Sequence, residues 1–316
     1  MPNTIHNTPY VLIIGGANID FTAFPYQPLI WHDSNPGVVK TSLGGVGRNI
    51  ADNLARLSVA TKLLSLVGDD TYGHHLIDET SRVGVDMSAV TALADQRTST
   101  YFSIMNTDDD MAVAIADMGI IHLLTPERLQ KHIDLINNAD LIVLDTNLST
   151  DSLQFLLTHF TNKRFLVDTV SVTKAQKIKP LLAHIDMLKP NRLEAEYLTG
   201  IEIKSLDDAK KAIENLLEQG VKQVFMSIGK EGILYGSHTD NGFEFHHSPA
   251  LPTKVINAAG AGDSMMASIA YGTIKQLPIA DVLRFANATA SITLMAETTI
   301  SPELSVESVH RLLENI

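Results

Sequence analysis

VINAAGAGDSMMAS, at residues 255–268, is a run of small residues that contains a single carboxylate, Asp263. An apolar, strand-like segment leads into the run, and a helix is predicted to begin at its glycines. Glycine lets the backbone approach a ligand closely, and the start of a helix presents unpaired N–H groups and the positive end of its dipole. The stretch therefore predicts an anion hole. Since a carboxylate beside an anion hole repels the anion, we expect Asp263 to have separate work, such as accepting a proton.

Outward from this stretch, short apolar runs alternate with longer helical patterns along the chain. This order is typical of a mainly parallel sheet whose strands are joined by crossover helices. The predicted core strands are residues 10–16, 61–68, 140–147, 164–170, 187–191 and 223–229. Helices are predicted over 46–58 and over 205–220, the second between a serine cap and a terminal glycine. The sequence thus predicts one α/β domain over residues 1–316.

Two further segments carry no helical pattern. Residues 21–43 and about 95–118 alternate apolar and polar side chains, and the second reads as two strands joined by an acidic turn. Together they predict a small sheet that covers one edge of the main domain. The pattern alone leaves open whether this sheet is a lid over a binding site or only an antiparallel edge.

The composition of the chain argues against several partners and chemistries. The chain has 316 residues, of which 45% are hydrophobic, a formal net charge of −12 and no cysteine. Without a dense Lys/Arg stripe we expect no nucleic-acid partner, and without cysteine there are neither disulfides nor thiol chemistry. The N-terminal MPNTIHNTPY lacks a basic region followed by an apolar one, and no run approaches 18 apolar residues. We therefore expect a cytoplasmic protein with no membrane partner.

Polar residues next to small ones mark two early candidate sites. GGANID (15–20) ends the first predicted strand with Asn18 and Asp20, placed to accept hydrogen bonds from sugar hydroxyls. GGVGRN (44–49) is a glycine turn entering a helix with Arg48 and Asn49 in its first turn. This motif is not a dinucleotide-binding fingerprint, because such a fingerprint directly follows a buried strand and this motif does not. Taken singly, each motif is also consistent with an ordinary turn or cap.

Two later motifs suit a nucleotide. KPNRLEAEYL (189–198) follows a strand with Asn191 and Glu194, and the glutamate could hold water around Mg²⁺; a solvated helix start is the alternative. SIGKEGILY (227–235) is a strand, a glycine turn and a second strand, which could wall a nucleotide pocket. No GxxxxGK[ST] loop occurs, so the helix start at residues 261–263 is the best candidate for binding phosphates. Asp263 would then be the base that phosphoryl transfer to an alcohol requires.

In this order and at these separations, the motifs GGVGRN, NRLEAE and AAGAGDS resemble the ribokinase-like sugar kinases, also called the PfkB family. The resemblance covers nearly the whole chain and implies a three-layer α/β/α domain with a small β-sheet lid, ATP and Mg²⁺ as cofactors, and a homodimer through the lid. A monovalent cation such as K⁺ near the anion hole is also consistent with the family.

The resemblance assigns roles by position. For catalysis it implies Asp263 as the base and the amides of Gly260, Ala261 and Gly262 as the anion hole. For the sugar or nucleoside it implies Asn18, Asp20, Gly45, Arg48, Asn49, Asn147 and Asp263. For the nucleotide it implies Asn191, Ser227, Gly229, Gly232, Gly260, Gly262 and Asn287. For Mg²⁺ it implies Glu194, acting through water.

Within the family, residues 34–57 and 114–129 are most similar to the branch that acts on the nucleoside pseudouridine. Asn147 stands where many sugar kinases have a glutamate, and an amide that both donates and accepts suits a substrate carrying a polar base. The expected reaction is ATP-dependent phosphorylation of the 5′-hydroxyl of pseudouridine. Ribose or another nucleoside as acceptor, and a non-catalytic binding protein on this scaffold, remain open. Ala259 and Met265 depart from the usual Thr and Phe without touching the expected chemistry.

Overall fold

The fold is taken from a computed structural model of the chain, which describes residues 9–108 and 110–315. The segment used above to argue against a secretion signal lies mostly outside these residues. Among the described residues, no helix is long and apolar enough to cross a membrane.

The strands of the described residues are short. In chain order they are β1 (Val11–Ile14), β2 (Asn18–Pro25), β3 (Gly37–Gly44), β4 (Thr61–Leu64), β5 (Leu66–Gly68), β6 (Thr91–Leu93), β7 (Ser99–Met105), β8 (Met111–Asp117), β9 (Leu141–Asp145), β10 (Phe165–Asp168), β11 (Met187–Lys189), β12 (Gln223–Ser227), β13 (Ile233–Thr239) and β14 (Gly242–Ser248).

Helices join most of these strands. In chain order they are α1 (Val46–Arg56), α2 (Thr71–Arg82), α3 (Pro126–Gln130), α4 (Ile133–Asn137), α5 (Thr150–His159), α6 (Val172–Ala175), α7 (Arg192–Thr199), α8 (Leu206–Glu218), α9 (Ala261–Ile274), α10 (Ile279–Leu294) and α11 (Val306–Glu314), with 3₁₀ segments at Gly119–Leu123, Gln176–His184 and Gly229–Glu231. Helix α8 has the expected Ser205 cap and Gly220 just beyond its end.

The main sheet has eight strands in the order β14-β13-β12-β11-β10-β9-β1-β4. The six strands from β12 to β4 are parallel, and the β13–β14 hairpin adds an antiparallel edge. The chain leaves β1 toward β4 on one side and later returns to β9 on the other. In open α/β sheets a crevice forms at such a reversal, beyond the carboxyl ends of the strands, and ligands bind there.

Alternate side chains of the central strands point into two separate cores. Leu12 and Ile14 pack with α3 to α8 on one face, and Val11 and Ile13 pack with α1, α2 and α9 to α11 on the other. Near-continuous apolar strands are what a parallel sheet buried on both faces requires. The expected three-layer α/β/α fold is confirmed.

Two local expectations were wrong. The strand predicted over 61–68 breaks at Ser65, whose hydroxyl donates to the Gly15 carbonyl oxygen at 2.6 Å; β5 then leaves the main sheet and pairs with β6. The strand-like run before the glycines of AAGAGDS forms no strand, because the N–H groups of Ile256 and Asn257 donate to the Leu294 carbonyl oxygen at the end of α10. An apolar run therefore marks burial or contact more reliably than it marks a sheet.

A second sheet, called here the lid sheet, has four strands in the order β3-β2-β7-β8. Its register places two neighbouring rows of apolar side chains on the same face. One row is Phe21, Phe102 and Ile115, and the other is Ala23, Ile104 and Val113. Phe21 stacks on Phe102, with the ring centroids 5.9 Å apart, yet Ile115 is 69% exposed. The lid sheet thus presents an apolar face that the described chain does not cover.

Candidate active site

The crevice at the reversal of strand order is held together by one buried carboxylate, Asp145, at the end of β9. Its Oδ2 accepts the N–H groups of Gly16 and Gly47, each at 2.8 Å, and its Oδ1 accepts the N–H of Asn147 at 2.9 Å. These three bonds join the ends of β1 and β9 to the start of α1. Motifs that are far apart in sequence therefore meet at one place.

Helix α9 begins at the other side of this crevice. Gly260 has φ 82°, and a Cβ there would lie 1.9 Å from the Thr299 carbonyl oxygen, so glycine is required at this turn. Within the described chain, no side chain caps the first turn of α9. The amides of Ala261, Gly262 and Asp263 consequently have no side-chain partner in the described chain, which is the arrangement an anion hole requires.

Asp263 lies in the first turn of α9 and faces the crevice. Its Oδ2 accepts a hydrogen bond from Asn49 Nδ2 at 2.7 Å, which connects the last motif of the chain to the glycine turn before α1. The pKa of Asp263 is raised to about 7, chiefly by desolvation and then by the carboxylates of Asp168 and Asp145, although Asn49 and Lys189 act to lower it. A carboxyl group with a pKa near neutral is well matched to proton transfer.

The residues expected to hold the substrate form two hydrogen-bonded groups around Asp263. Asn18 donates to Asp20, whose pKa is raised chiefly by burial. Arg48 is buried and donates to Asn49, to the Leu43 carbonyl oxygen and to Asp52. Arg48 therefore orients the side chain that contacts Asp263, and its own donors are largely occupied by protein.

Gly45 and Asn147 complete this side of the crevice. Gly45 has φ 95°, and a Cβ there would come within 2.5 Å of Ala17 Cα and the Gly16 carbonyl oxygen, so the turn needs glycine. Asn147 is 3% exposed, and its Oδ1 accepts a hydrogen bond from Lys174. Lys174, whose pKa burial lowers, fixes which end of the Asn147 amide accepts and leaves its NH₂ group as a donor near Asp145.

A cavity of about 970 Å³, the nucleotide cavity, opens beside the first turn of α9. Its lining includes most of the residues expected to bind the nucleotide, namely Asn191, Ser227, Gly229, Gly232, Gly262 and Asn287. Gly260 is not among the lining residues and shapes the helix start instead. Asn287 donates to Ser248 and Pro249, so it anchors the wall of the cavity with a side chain that is 3% exposed.

Asn191 and Glu194 form the capping box of α7. Asn191 Oδ1 accepts the Glu194 N–H at 2.9 Å, and the Glu194 carboxylate accepts the N–H and the amide NH₂ of Asn191, each at 2.8 Å. Thr169 also donates to Glu194. These bonds engage both carboxylate oxygens of Glu194, and the described residues contain no cluster of three metal-binding side chains.

Several charged residues of the site were missed by the sequence reasoning. Asp145, Asp168 and Lys189 end the parallel strands β9, β10 and β11, and Lys189 Nζ lies 3.0 Å from Asp168 Oδ2. Lys174 was missed as well. The signal was present, since each of the three predicted strands contains a charged residue two positions before its predicted end, but only the register of the sheet shows that these residues meet.

With this geometry in place, comparisons with known proteins define the class. The family model described as "pfkB family carbohydrate kinase" matches residues 8–305. The chain therefore belongs to the pfkB family, and it is a phosphotransferase that uses an alcohol group as acceptor. The resemblance drawn from the three motifs is confirmed.

More particularly, the chain is similar to three known proteins. It is 40% identical to the pseudouridine kinase of Escherichia coli K12 over 97% of both chains. It is 38% identical to the uncharacterised sugar kinase YeiI of the same strain, over 95% of this chain and 82% of that one. The structure of Arabidopsis thaliana ribokinase complexed with ribose and ATP matches with a TM-score of 0.87 at 22% identity, over 98% and 99% of the two chains.

Proposed function

We propose that this protein is an ATP-dependent kinase that phosphorylates the 5′-hydroxyl of pseudouridine. One observation carries the proposal: Asp263 lies at the uncapped start of α9, next to the nucleotide cavity, and bonds to Asn49 of the opposite motif at 2.7 Å. The carboxylate is thus positioned between a cavity suited to a nucleotide and a crevice lined with sugar-binding side chains. The similarity to a pseudouridine kinase supports the choice of acceptor.

In the proposed reaction the 5′-hydroxyl oxygen attacks the γ-phosphorus of ATP. The new O–P bond forms while the bond from the γ-phosphorus to the bridging oxygen of ADP breaks, and the hydroxyl proton passes to Asp263. The amides of residues 261–263 stabilise the charge on the γ-phosphoryl oxygens, and Asn49 holds the carboxylate in line with the hydroxyl. Closure of the lid sheet would exclude water as a competing acceptor.

ATP and Mg²⁺ fit the residues that are present. The volume of about 970 Å³ and the free first-turn amides suit a nucleotide with its phosphates at α9. Mg²⁺ keeps several waters and binds through few carboxylates together with substrate phosphates, so a single water-mediated contact from Glu194 suffices. Bound there, Mg²⁺ would neutralise phosphate charge. K⁺ beside the anion hole remains a prediction from the family.

The acceptor could also be a different sugar or nucleoside. The 38% identity to YeiI, a sugar kinase without an assigned substrate, favours keeping this second candidate. Asn147, held by Lys174, supports a nucleoside over a plain sugar, because an amide can donate to a polar base where a carboxylate could not.

We also propose that two copies of the chain associate through the lid sheet. Its exposed face carries Val39, Phe102, Val113 and Ile115 on the strands β3, β7 and β8, and an exposed apolar patch of this kind is typical of a protein interface.

A panel of acceptors tests the function. ADP release is measured with ATP, Mg²⁺ and pseudouridine, uridine, adenosine or ribose. Pseudouridine should give the highest kcat/KM, by about tenfold or more, since a site built to bond a polar group rejects analogues that lack it. A higher kcat/KM for ribose would assign the protein to the sugar kinases of the family. A higher kcat/KM for uridine or adenosine would make that nucleoside the acceptor in place of pseudouridine.

A further inference from the structure

Lys189 is a buried cation between the proposed base and the anion hole. Its side chain is 6% exposed, and its Nζ lies 3.0 Å from Asp168 Oδ2. A Cβ built on Gly262 would lie only 3.3 Å from this Nζ, so the ammonium group rests against the first turn of α9. The motif KPNRLEAEYL begins with this residue, but the sequence assigned it no role.

The hydrogen-bonding capacity of Lys189 is only partly used. An ammonium group has three donors. Within the described part of the chain, Asp168 is its one ion-pair partner, and Asp168 Oδ2 itself has no partner with hydrogen-bond geometry. Burying a charge is costly unless it is paired and bonded on its remaining sides. Donors left free next to the anion hole fit an anion that arrives with the substrates.

The backbone beside Asp168 is strained. Val170 has φ 59°, a left-handed conformation that a β-branched residue rarely adopts, and its N–H donates to Asp168 Oδ1 at 2.8 Å. Strain of this kind is costly and clusters at functional sites. Here the strained turn fixes the carboxylate that holds the Lys189 ammonium.

We propose that Lys189 is a further catalytic residue, whose ammonium contacts the oxygens of the transferred γ-phosphoryl group beside Gly262, and that Asp168 is the positioning residue that holds it there. The inference rests on the proposed function. A fixed positive charge in a site with little water stabilises the charge that develops on these oxygens during transfer. Because ADP has no γ-phosphoryl group, the same contact strengthens the binding of ATP and leaves that of ADP unchanged.

The competing explanation is a structural ion pair that only neutralises Asp168. The two explanations differ for the double variant Lys189→Met/Asp168→Asn, which removes both charges of the ion pair, so that neither partner is left without the other. If the pair is structural, the double variant restores what Lys189→Met alone loses. If Lys189 contacts the phosphoryl group, it does not.

The experiment compares both single variants, the double variant and a control, Lys222→Met. Lys222 forms an exposed ion pair with Asp186, Nζ to Oδ1 2.6 Å, so the control removes the same kind of side chain far from the crevice. Calorimetry gives the Kd for ATP and for ADP, steady-state kinetics gives kcat and KM for the acceptor, and thermal unfolding reports folding.

We expect Lys189→Met and the double variant to lower kcat by about 100- to 1000-fold, the loss typical of removing one donor to a developing oxyanion. Both should bind ATP more weakly and ADP as the wild type does. Asp168→Asn should lower kcat by up to about 100-fold with KM for the acceptor unchanged, since a small displacement of a catalytic group has that effect. Lys222→Met should match the wild type in every measurement.

The proposal would be overturned by a double variant whose kcat and whose ratio of the Kd for ADP to the Kd for ATP are both close to the wild-type values. If Lys189→Met does not fold, the double variant still decides between the two explanations. If the wild type phosphorylates no acceptor, the proposed function fails, but the contact is still tested by nucleotide binding. A preference for ATP over ADP that is lost in the double variant supports the contact, and one that is kept overturns it.

Discussion

At the scale of single residues, the protonation state of Asp263 controls the proposed reaction. Desolvation and the neighbouring Asp168 raise its pKa from 3.8 to about 7. Below pH 7 the carboxyl group is protonated and cannot accept the hydroxyl proton, so kcat/KM should fall about tenfold per pH unit as the pH decreases. A pH profile of kcat/KM measures this, with circular dichroism at each pH as the control for unfolding. A profile that stays flat to pH 5 would remove Asp263 as the base.

Asn147 should select the substrate. Its Oδ1 is bonded to Lys174, so we expect its NH₂ group, which lies near Asp145, to be the part that donates to the base of the nucleoside. Asn147→Ala should raise KM for pseudouridine about tenfold, the effect of one hydrogen bond, and leave KM for ribose unchanged. Asn241→Ala, in the exposed turn between β13 and β14, is the matched control. Equal effects of Asn147→Ala on both acceptors would reject Asn147 as a selector.

Sequence reasoning at this scale found the residues that lie in motifs and missed those that meet only through the sheet. Asp263 and Asn49 each stood in a glycine-rich motif, and the structure brings them to 2.7 Å. Asp168 and Lys189 stood two residues before the ends of two predicted strands, 21 residues apart in sequence. Their contact depends on the parallel register of β10 and β11, which pairs Asp168 with Lys189 and which composition does not reveal.

At the scale of secondary-structure elements, the start of α9 depends on Gly260. A methyl group there would collide with the Thr299 carbonyl oxygen, and φ 82° is unfavourable for alanine. Gly260→Ala should destabilise the fold by about 1–3 kcal/mol and weaken ATP binding, because the anion hole is displaced. Thermal unfolding and calorimetry measure the two effects.

Gly242→Ala is the control for Gly260→Ala. Gly242 also has a positive φ, 122°, but a Cβ there would meet nothing within 4 Å, and it lies in the β13–β14 hairpin. Its substitution should lower stability without changing ATP affinity. Unchanged ATP affinity in Gly260→Ala would mean that the phosphates bind elsewhere.

Hydrophobic periodicity predicted where the helices and strands lie, but it did not predict where they end. The strands around β1 and β9 and the helices α1 and α8 lie where the pattern placed them. The predicted strand 61–68 instead divides at Ser65, because its second half finds a different partner in β6. An apolar run cannot specify which neighbour it pairs with, so breaks of this kind require the tertiary structure.

At the scale of the whole molecule, the uncovered face of the lid sheet should hold two copies together. Ile115→Lys places a charge at its most exposed apolar position, 69% exposed, and should convert a dimer into monomers. Light scattering after size exclusion measures the mass. Gln154→Lys adds the same charge at an exposed position of α5 and should leave the dimer intact. A wild-type protein that is monomeric at micromolar concentration would contradict the proposed dimer.

Asp263→Asn tests the proposed chemistry with the fewest assumptions. Turnover with pseudouridine and the Kd for ATP are measured in parallel with Asp281→Asn, an exposed aspartate in the first turn of α10. We predict that Asp263→Asn loses turnover by about 100- to 10,000-fold while its Kd for ATP stays within about threefold of the wild-type value, because the amide cannot accept the proton. Near wild-type turnover in this variant would contradict the assignment of Asp263 as the catalytic base.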